Sequence, residues 1–313
     1  MTNQLTTLLN IKYPILQGGM AWVSESRLAT AVSEAGGAGI ISTGGRDAAW
    51  VREQIRQAKS LTQKPFGVNV QLMAPNKEEI VDLICEEAVA FVTLGAGNPV
   101  PYFDKLKQAG VKIIPVVPNA KLAVRVQEKG ADALVVEGME AGGHIGVLTT
   151  MALMTQVLPL VDIPVIVAGG FADGRGLAAA LLMGASGVQM GTRFLLAAEC
   201  AVHPNFKQKL IQAVDTDTVV TGITMGHAVR GVKNPFTDKF LALEYSGAPK
   251  EELERLATGS NRKAAVDGDI ENGMVQAGQC LLPLKKIEPV QTIIDDIVEE
   301  AQQVLKRAAT IEI

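Results

Sequence analysis

Aromatic residues are scarce in this chain, at 4% of 313 residues. A core must therefore be filled by Val, Ile, Leu and Ala, which suits parallel strands buried on both faces. Cysteine is scarcer still. Cys85, Cys200 and Cys280 lie far apart and form no CxxC pair. That spacing argues against a disulfide framework and against a zinc site, and fits reduced thiols of a cytoplasmic protein. Neither sign of charge dominates. The formal net charge of −4 leaves no basic field to attract nucleic acid or acidic lipid. No apolar run approaches the roughly 20 residues of a membrane helix, and Met1 to Asn10 lacks the basic flank and apolar stretch of a secretory leader. A Gly-x-Ser-x-Gly elbow and a GxxxxGK[ST] loop are also missing, which removes the serine-hydrolase and P-loop readings.

What is present is alternation. Short β-branched runs fall at Tyr13–Gln17, Ala38–Ser42, Phe66–Val70, Ala90–Leu94, Lys112–Val117, Ala133–Glu137, Pro164–Ala168 and Gly187–Met190. Between them, Glu25–Ala35, Ala48–Leu61, Lys77–Ala88, Pro101–Gln108 and Ala120–Lys129 carry charge on one face and aliphatic residues on the other, as amphipathic helices do. Glycines at Gly36, Gly110, Gly130 and Gly184 sit where helix C-termini turn toward the next strand. Eight such units predict an α/β fold, a (β/α)8 TIM barrel. An open doubly wound sheet usually has fewer strands. The regularity ends near residue 198. The expected organisation is a barrel over 1–198, an inserted lid or substrate subdomain over 199–272, and a return to the barrel over 273–313 ending in a helix at Pro289–Ala309. The insertion carries helical stretches at Asn205–Val214 and Pro249–Leu256 and a strand at Asp217–Ile223.

In a barrel the residues just after each strand form the active rim. Those positions hold Gln17-Gly18-Gly19-Met20, Asn69, Gly95-Ala96-Gly97-Asn98, the run Glu137 to Gly146, Ala168-Gly169-Gly170 and Gly191-Thr192-Arg193. Glycine pairs let backbone N–H groups approach phosphate oxygens, though tight βα turns need glycine anyway. His144 stands in a glycine-rich rim loop and can shuttle a proton near neutral pH, or be a plain surface histidine. His203 and His227 read as structural. Glu137 either binds a ligand hydroxyl or caps its own loop, and Asn69 either reaches a ligand edge or satisfies rim backbone. No cysteine has an activating neighbour, so a cysteine nucleophile is disfavoured.

Together these segments resemble the flavin-dependent enoyl-acyl-carrier-protein reductase II family, within the superfamily that includes the nitronate monooxygenases. The likeness runs from Tyr13-Pro-Ile-Leu-Gln-Gly-Gly-Met-Ala-Trp22 through Lys64-Pro-Phe-Gly-Val-Asn69, Gly95-Ala-Gly-Asn-Pro99, Glu137-Gly-Met-Glu-Ala-Gly-Gly-His-Ile-Gly146 and Gln189-Met-Gly-Thr-Arg-Phe194 to Ala277-Gly-Gln279. The resemblance implies FMN, with Gly18, Gly19, Met20, Asn69, Glu137, Gly143, Ala168, Gly169, Gly170, Gln189, Met190, Gly191, Thr192 and Gln279 as the cofactor-binding set. It implies His144 at the catalytic position, NADH or NADPH as reductant, a homodimer, and a monovalent cation (K+ or NH4+) without an assigned site. The implied reaction is reduction of a trans-2-enoyl thioester on acyl carrier protein or CoA, with nitronate oxidation as the alternative. Lys233, Lys239 and Arg230 either offer a basic patch to an acidic carrier or form a plain solvated face. Two places depart from the family: the loop Ser42-Thr43-Gly44-Gly45-Arg46-Asp47, and Gln276 where methionine is common.

Overall fold

The structure, a computed structural model, describes residues 3–312. In chain order the strands are β1 (Ile15–Gln17), β2 (Gly39–Ser42), β3 (Phe66–Gln71), β4 (Phe91–Gly95), β5 (Lys112–Val117), β6 (Leu134–Glu137), β7 (Gly143–His144), β8 (Val165–Ala168), β9 (Gly187–Met190), β10 (Thr218–Thr221) and β11 (Val229–Val232). Eight of them pair in parallel in the order β1-β9-β8-β6-β5-β4-β3-β2. The edges meet. Leu16 bridges Ala38, the Gln17 N–H donates to the Ala38 carbonyl at 3.0 Å, and the Ala38 N–H donates to the Ile15 carbonyl at 2.9 Å. The result is the (β/α)8 TIM barrel that the alternation predicts.

Period-two alternation divides each strand between two cores. Outward residues such as Ile41, Val68, Val92, Ile113, Val136, Val167 and Val188 pack against the helices. Inward residues Leu16, Ile40, Phe91, Ile114, Val135 and Ile166 fill the barrel, and Leu5 and Leu9 of the short helix Gln4–Leu9 join that inner cluster. Phe91 takes its space from Gly67, where a Cβ would stand 2.3 Å from its ring. Moving up the same inward rows, the residues become Asn69, Thr93, Glu137 and Gln189. The apolar plug thus ends in a polar floor.

Helices start where the sequence places capping side chains. Asp47, Asn119 and Asp173 each accept an N–H from the first turn that follows. The final helix, Val290–Ala308, lies against the helices Gly174–Leu182 and Ser26–Glu34. Its crossing with the former is close. The Gly174 N–H donates to Glu300 at 2.8 Å, and a Cβ on Gly174 would meet the Ile297 carbonyl at 2.3 Å.

Between Pro204 and Ala265 the chain leaves the βα rhythm. It forms helices Pro204–Gln212, Pro235–Tyr245, Lys250–Ala257 and Ser260–Ala265 and the hairpin β10–β11. The hairpin adds β7 as a third strand, in the order β10-β11-β7, antiparallel throughout. The sequence pattern shows neither β7 nor β11: β7 has only two residues, and β11, Val-Arg-Gly-Val, breaks its apolar run with a charge and a glycine. Among the described residues no helix is long and apolar enough to cross a membrane.

Candidate active site

A cavity of about 980 Å³ opens over the polar floor of the barrel. Its size lies at the upper end for small-molecule and cofactor sites. Of the residues the sequence marks, Gly18, Gly19, Met20, Asn69, Glu137, Gly143, His144, Ala168, Gly169, Gly170, Gln189, Gly191 and Thr192 all line it. Two do not. Met190 is buried, and its side chain joins the outer core because it follows Gln189 by one residue on a strand and so faces the other way. Gln279 is exposed and off the cavity wall, its N–H held by the Glu140 carbonyl at 2.9 Å.

The glycine side of the cavity is built for close approach. Gly169 and Gly170 both have positive φ, at 100° and 83°. A Cβ on Gly169 would come within 2.8 Å of the Thr150 hydroxyl and 2.9 Å of the Gly138 carbonyl. Among the described residues, no protein acceptor takes the N–H groups of Gly169, Gly170 or Gly191. Three free donors on one rim form a cradle suited to a phosphate ester. The Thr192 hydroxyl accepts the Gly278 N–H at 2.9 Å and ties the chain after Val275 to this rim. Glu140 accepts from the Thr150 N–H and hydroxyl at 2.9 to 3.0 Å, so it braces the rim and caps the following helix.

On the floor, Asn69 donates to the Thr93 hydroxyl at 3.0 Å and stands directly against Gly19, whose Cβ would meet it at 2.3 Å. The side-chain oxygen of Gln189 is buried with no partner among the described residues. An orphaned buried acceptor at a cavity floor calls for a ligand group that completes it. Glu137 opens onto the same space, and burial alone pushes its carboxyl up to about 7. At neutral pH it is therefore divided between a proton donor and a carboxylate.

The opposite wall comes from the segment beyond the barrel. Phe206, Met225, His227, Val229, Phe236, Phe240, Arg262 and Met274 face the cavity. Phe236, Phe240, Leu253 and Met274 form a separate apolar cluster behind it. His144 belongs to both sides. It ends the barrel loop and pairs with Val229 on β11, while the Ile145 N–H donates to the Ala228 carbonyl at 3.0 Å. Its imidazole stays below the usual histidine range, because the protein displaces water from it and because His227 repels a second positive charge. Arg230 is buried. It donates to the Met139 carbonyl at 3.0 Å and to the Thr218 hydroxyl at 3.1 Å, clamping hairpin to loop. It therefore cannot belong to the basic patch expected of it, whereas Lys233 and Lys239 are exposed.

His203 is structural: its ring nitrogen accepts the Asn205 N–H and caps a helix. His227, read as structural from its sequence position, lies instead on the cavity wall. No sequence signal marked it, because its relation to His144 depends on the pairing of Val229 with His144, 85 positions apart. Gln276 also lines the cavity, with its side-chain oxygen 3.2 Å from where a Cβ on Gly143 would stand. In the departing loop, Arg46 stacks between Trp22 and Trp50, 4.5 and 4.2 Å from their ring centres, and pairs with Glu25 at 3.1 Å. It shapes the mouth by holding Trp22, which is itself on the wall. Burial pushes the Cys200 and Cys280 thiols up to about 11 and raises Cys85, so none is poised as a thiolate.

Comparison with known proteins adds three findings. The family described as nitronate monooxygenase matches over residues 2–82 and 76–300. The solved structure of FabK from Thermotoga maritima is 46% identical, covers 99% of either chain and superposes with a TM-score of 0.96. Two curated proteins are similar over most of the chain. A (3aS,4S,5R,7aS)-5-hydroxy-7a-methyl-1-oxo-octahydro-1H-indene-4-carboxyl-CoA dehydrogenase of Rhodococcus jostii is 42% identical across 78% of this chain and 68% of its own. A probable nitronate monooxygenase of Staphylococcus aureus is 32% identical across 97% of this chain and 98% of its own.

Proposed function

The chain belongs to the nitronate monooxygenase family, and from that premise we propose that it is an FMN-dependent reductase of trans-2-enoyl thioesters, drawing on NADH or NADPH. The observation that carries this reading is a whole-length likeness to FabK, an enoyl-acyl-carrier-protein reductase II, joined to a cavity with His144 on one side and a glycine cradle on the other. The similar Rhodococcus protein is named for a CoA ester, which supports a thioester as the substrate class.

The residues present fit FMN. The free N–H groups of Gly169, Gly170 and Gly191 would hold its phosphate. Asn69, Gln189 and Glu137, with the glycine backbone at Gly18 and Gly19, would meet its polar ring edge or ribityl hydroxyls, and the unpaired Gln189 oxygen would gain a donor there. The chemistry FMN supplies when bound is storage of a hydride between a nicotinamide and an electrophilic carbon.

The chain's own residues do the rest. The apolar wall of Phe236, Phe240 and Met274 receives the acyl part and excludes water from it. His144 delivers a proton to the substrate carbon next to the thioester carbonyl, which completes saturation of the double bond. Segment 199–272 serves as the lid over a barrel formed by 1–198 and 273–313. Its hydrogen bonds to the His144 loop hold the acid in place as the lid packs.

Nitronate oxidation is the second reading. It is favoured by the low pKa of His144, because a neutral imidazole is ready to act as a base. Anaerobic stopped-flow on the yellow protein separates the two. Loss of flavin absorbance with NADH or NADPH, followed by its return on mixing with crotonyl-CoA or crotonyl-acyl carrier protein, is the expected result. A flavin that ignores enoyl thioesters, accepts electrons from a nitronate and returns them only to oxygen would overturn the reductase assignment.

A further inference from the structure

His144 and His227 are joined by the smallest sheet in the molecule. In the β7–β11 ladder His144 stands opposite Val229, and the Ile145–Ala228 hydrogen bond continues the antiparallel register by one residue. His227 is two residues before Val229, so it takes the diagonal position to His144 on the same face. Diagonal neighbours of this kind lie about 7 Å apart, within reach for two ring side chains. Both residues line the cavity.

The position of His227 is itself built. Gly222, with a φ of 76°, lets the turn close: a Cβ there would meet the His227 carbonyl at 2.5 Å, and the His227 N–H donates to the Gly222 carbonyl at 3.1 Å. The buried Glu244 of helix Pro235–Tyr245 accepts the N–H groups of Gly222 and Thr224 and the Thr224 hydroxyl at 2.8 to 2.9 Å. Its carboxylate is spent on that turn. The other charged groups around the pair are Arg230 on β11, Glu140 and Glu137 from the barrel, and Glu254 and Arg262 from the far wall. Arg230 and Glu140 are engaged in hydrogen bonds with Met139, Thr218 and Thr150.

We propose that His227 is a positioning residue for His144: the β7–β11 ladder and the turn closed at Gly222 hold its imidazole beside that of His144 on the cavity wall, where it sets how readily His144 takes up a proton. Its role in turnover rests on the proton delivery proposed above, but the pairing itself does not. Repulsion from His227 and removal from water act on His144 in the same direction.

The test is a carbon-13 NMR titration of the FMN-loaded protein labelled at histidine. With only three histidines, single substitutions assign every signal. The expected result is that His144 titrates below the usual imidazole range and that H227Q and H227A both move its midpoint up by about half a pH unit or more. H203Q should leave it in place. The pH profile of kcat/KM should move with the midpoint in the two His227 variants. A His144 curve unchanged in both, with FMN retained, overturns the proposal. A coupled titration in a protein that does not reduce enoyl thioesters would leave the pairing standing and remove only the proposed reaction.

Discussion

The cavity has two walls of different origin. The barrel wall is made of residues that follow strands, held by ladder hydrogen bonds and by glycines whose conformation no other residue adopts easily. The facing wall is made of a hairpin, four helices and the loop before Gln279, assembled by contacts between distant parts of the chain. On the proposed reading, one wall receives the FMN that every turnover uses. The other brings His227, the aromatic cluster and Arg262 to whatever that ligand reacts with. Among the described residues His144 belongs to both walls: it follows a barrel loop and ends as part of a strand of the cap sheet. Cofactor and substrate can thus be held by separate mechanical elements that meet at one side chain.

Three substitutions would break or sharpen that division. The largest effect is expected on the barrel side. G169V places a branched side chain at a φ of 100°, against the Gly138 carbonyl and Thr150 hydroxyl. The purified variant should be colourless, and its absorbance near the flavin bands measures this directly. Full flavin content would show that the cradle does not depend on Gly169.

Next comes the junction. H144A should keep its flavin yet slow enoyl reduction by about 10²- to 10⁴-fold, the usual contribution of a general acid. Unchanged turnover would move proton delivery to another group, and Glu137 would be the first to examine. Loss of colour would mean that the two walls are not separable at this point.

The smallest effect concerns pH. The Glu137 carboxyl rises from 4.5 to about 7 in the folded protein. A raised acid is a cost to the folded state once it must ionise, so its contribution is fully present below about 4.5 and is lost as pH climbs through about 7. E137Q removes that loss. Without FMN, the wild-type melting temperature should fall relative to the variant between pH 5 and pH 8, by a few degrees at most, since the carboxyl opens onto the cavity. Parallel melting curves would mean that Glu137 is already paired or solvated.

The barrel was legible from residue patterns alone. Eight runs of β-branched residues lie within two residues of the observed strands, and the helices Ala48–Leu61 and Ala120–Glu128 begin where Asp47 and Asn119 cap them. Most of the cavity floor was legible for the same reason, since a barrel assigns strand ends to one rim. Three placements were not legible, and they share a cause. Met190 sits at a strand end, as Gln189 does, but motif resemblance does not resolve which neighbour faces inward. Arg230 reads as a surface charge until β10 and the Met139 loop close over it. Gln279 lies in a motif whose backbone bonds to the rim while its side chain points away.

Composition and spacing by themselves determined a parallel β/α barrel with glycine at its phosphate-sized turns, because those features follow from local sterics and a two-residue period. They also placed His144 on the rim. What only the tertiary structure decided is the company His144 keeps. Its pairing with β11, the imidazole of His227 beside it and the aromatic wall opposite all depend on a sheet that joins β7 to a hairpin far along the chain. The two residues of β7 carry no periodic signal, and such contacts form only when the whole chain has folded around them.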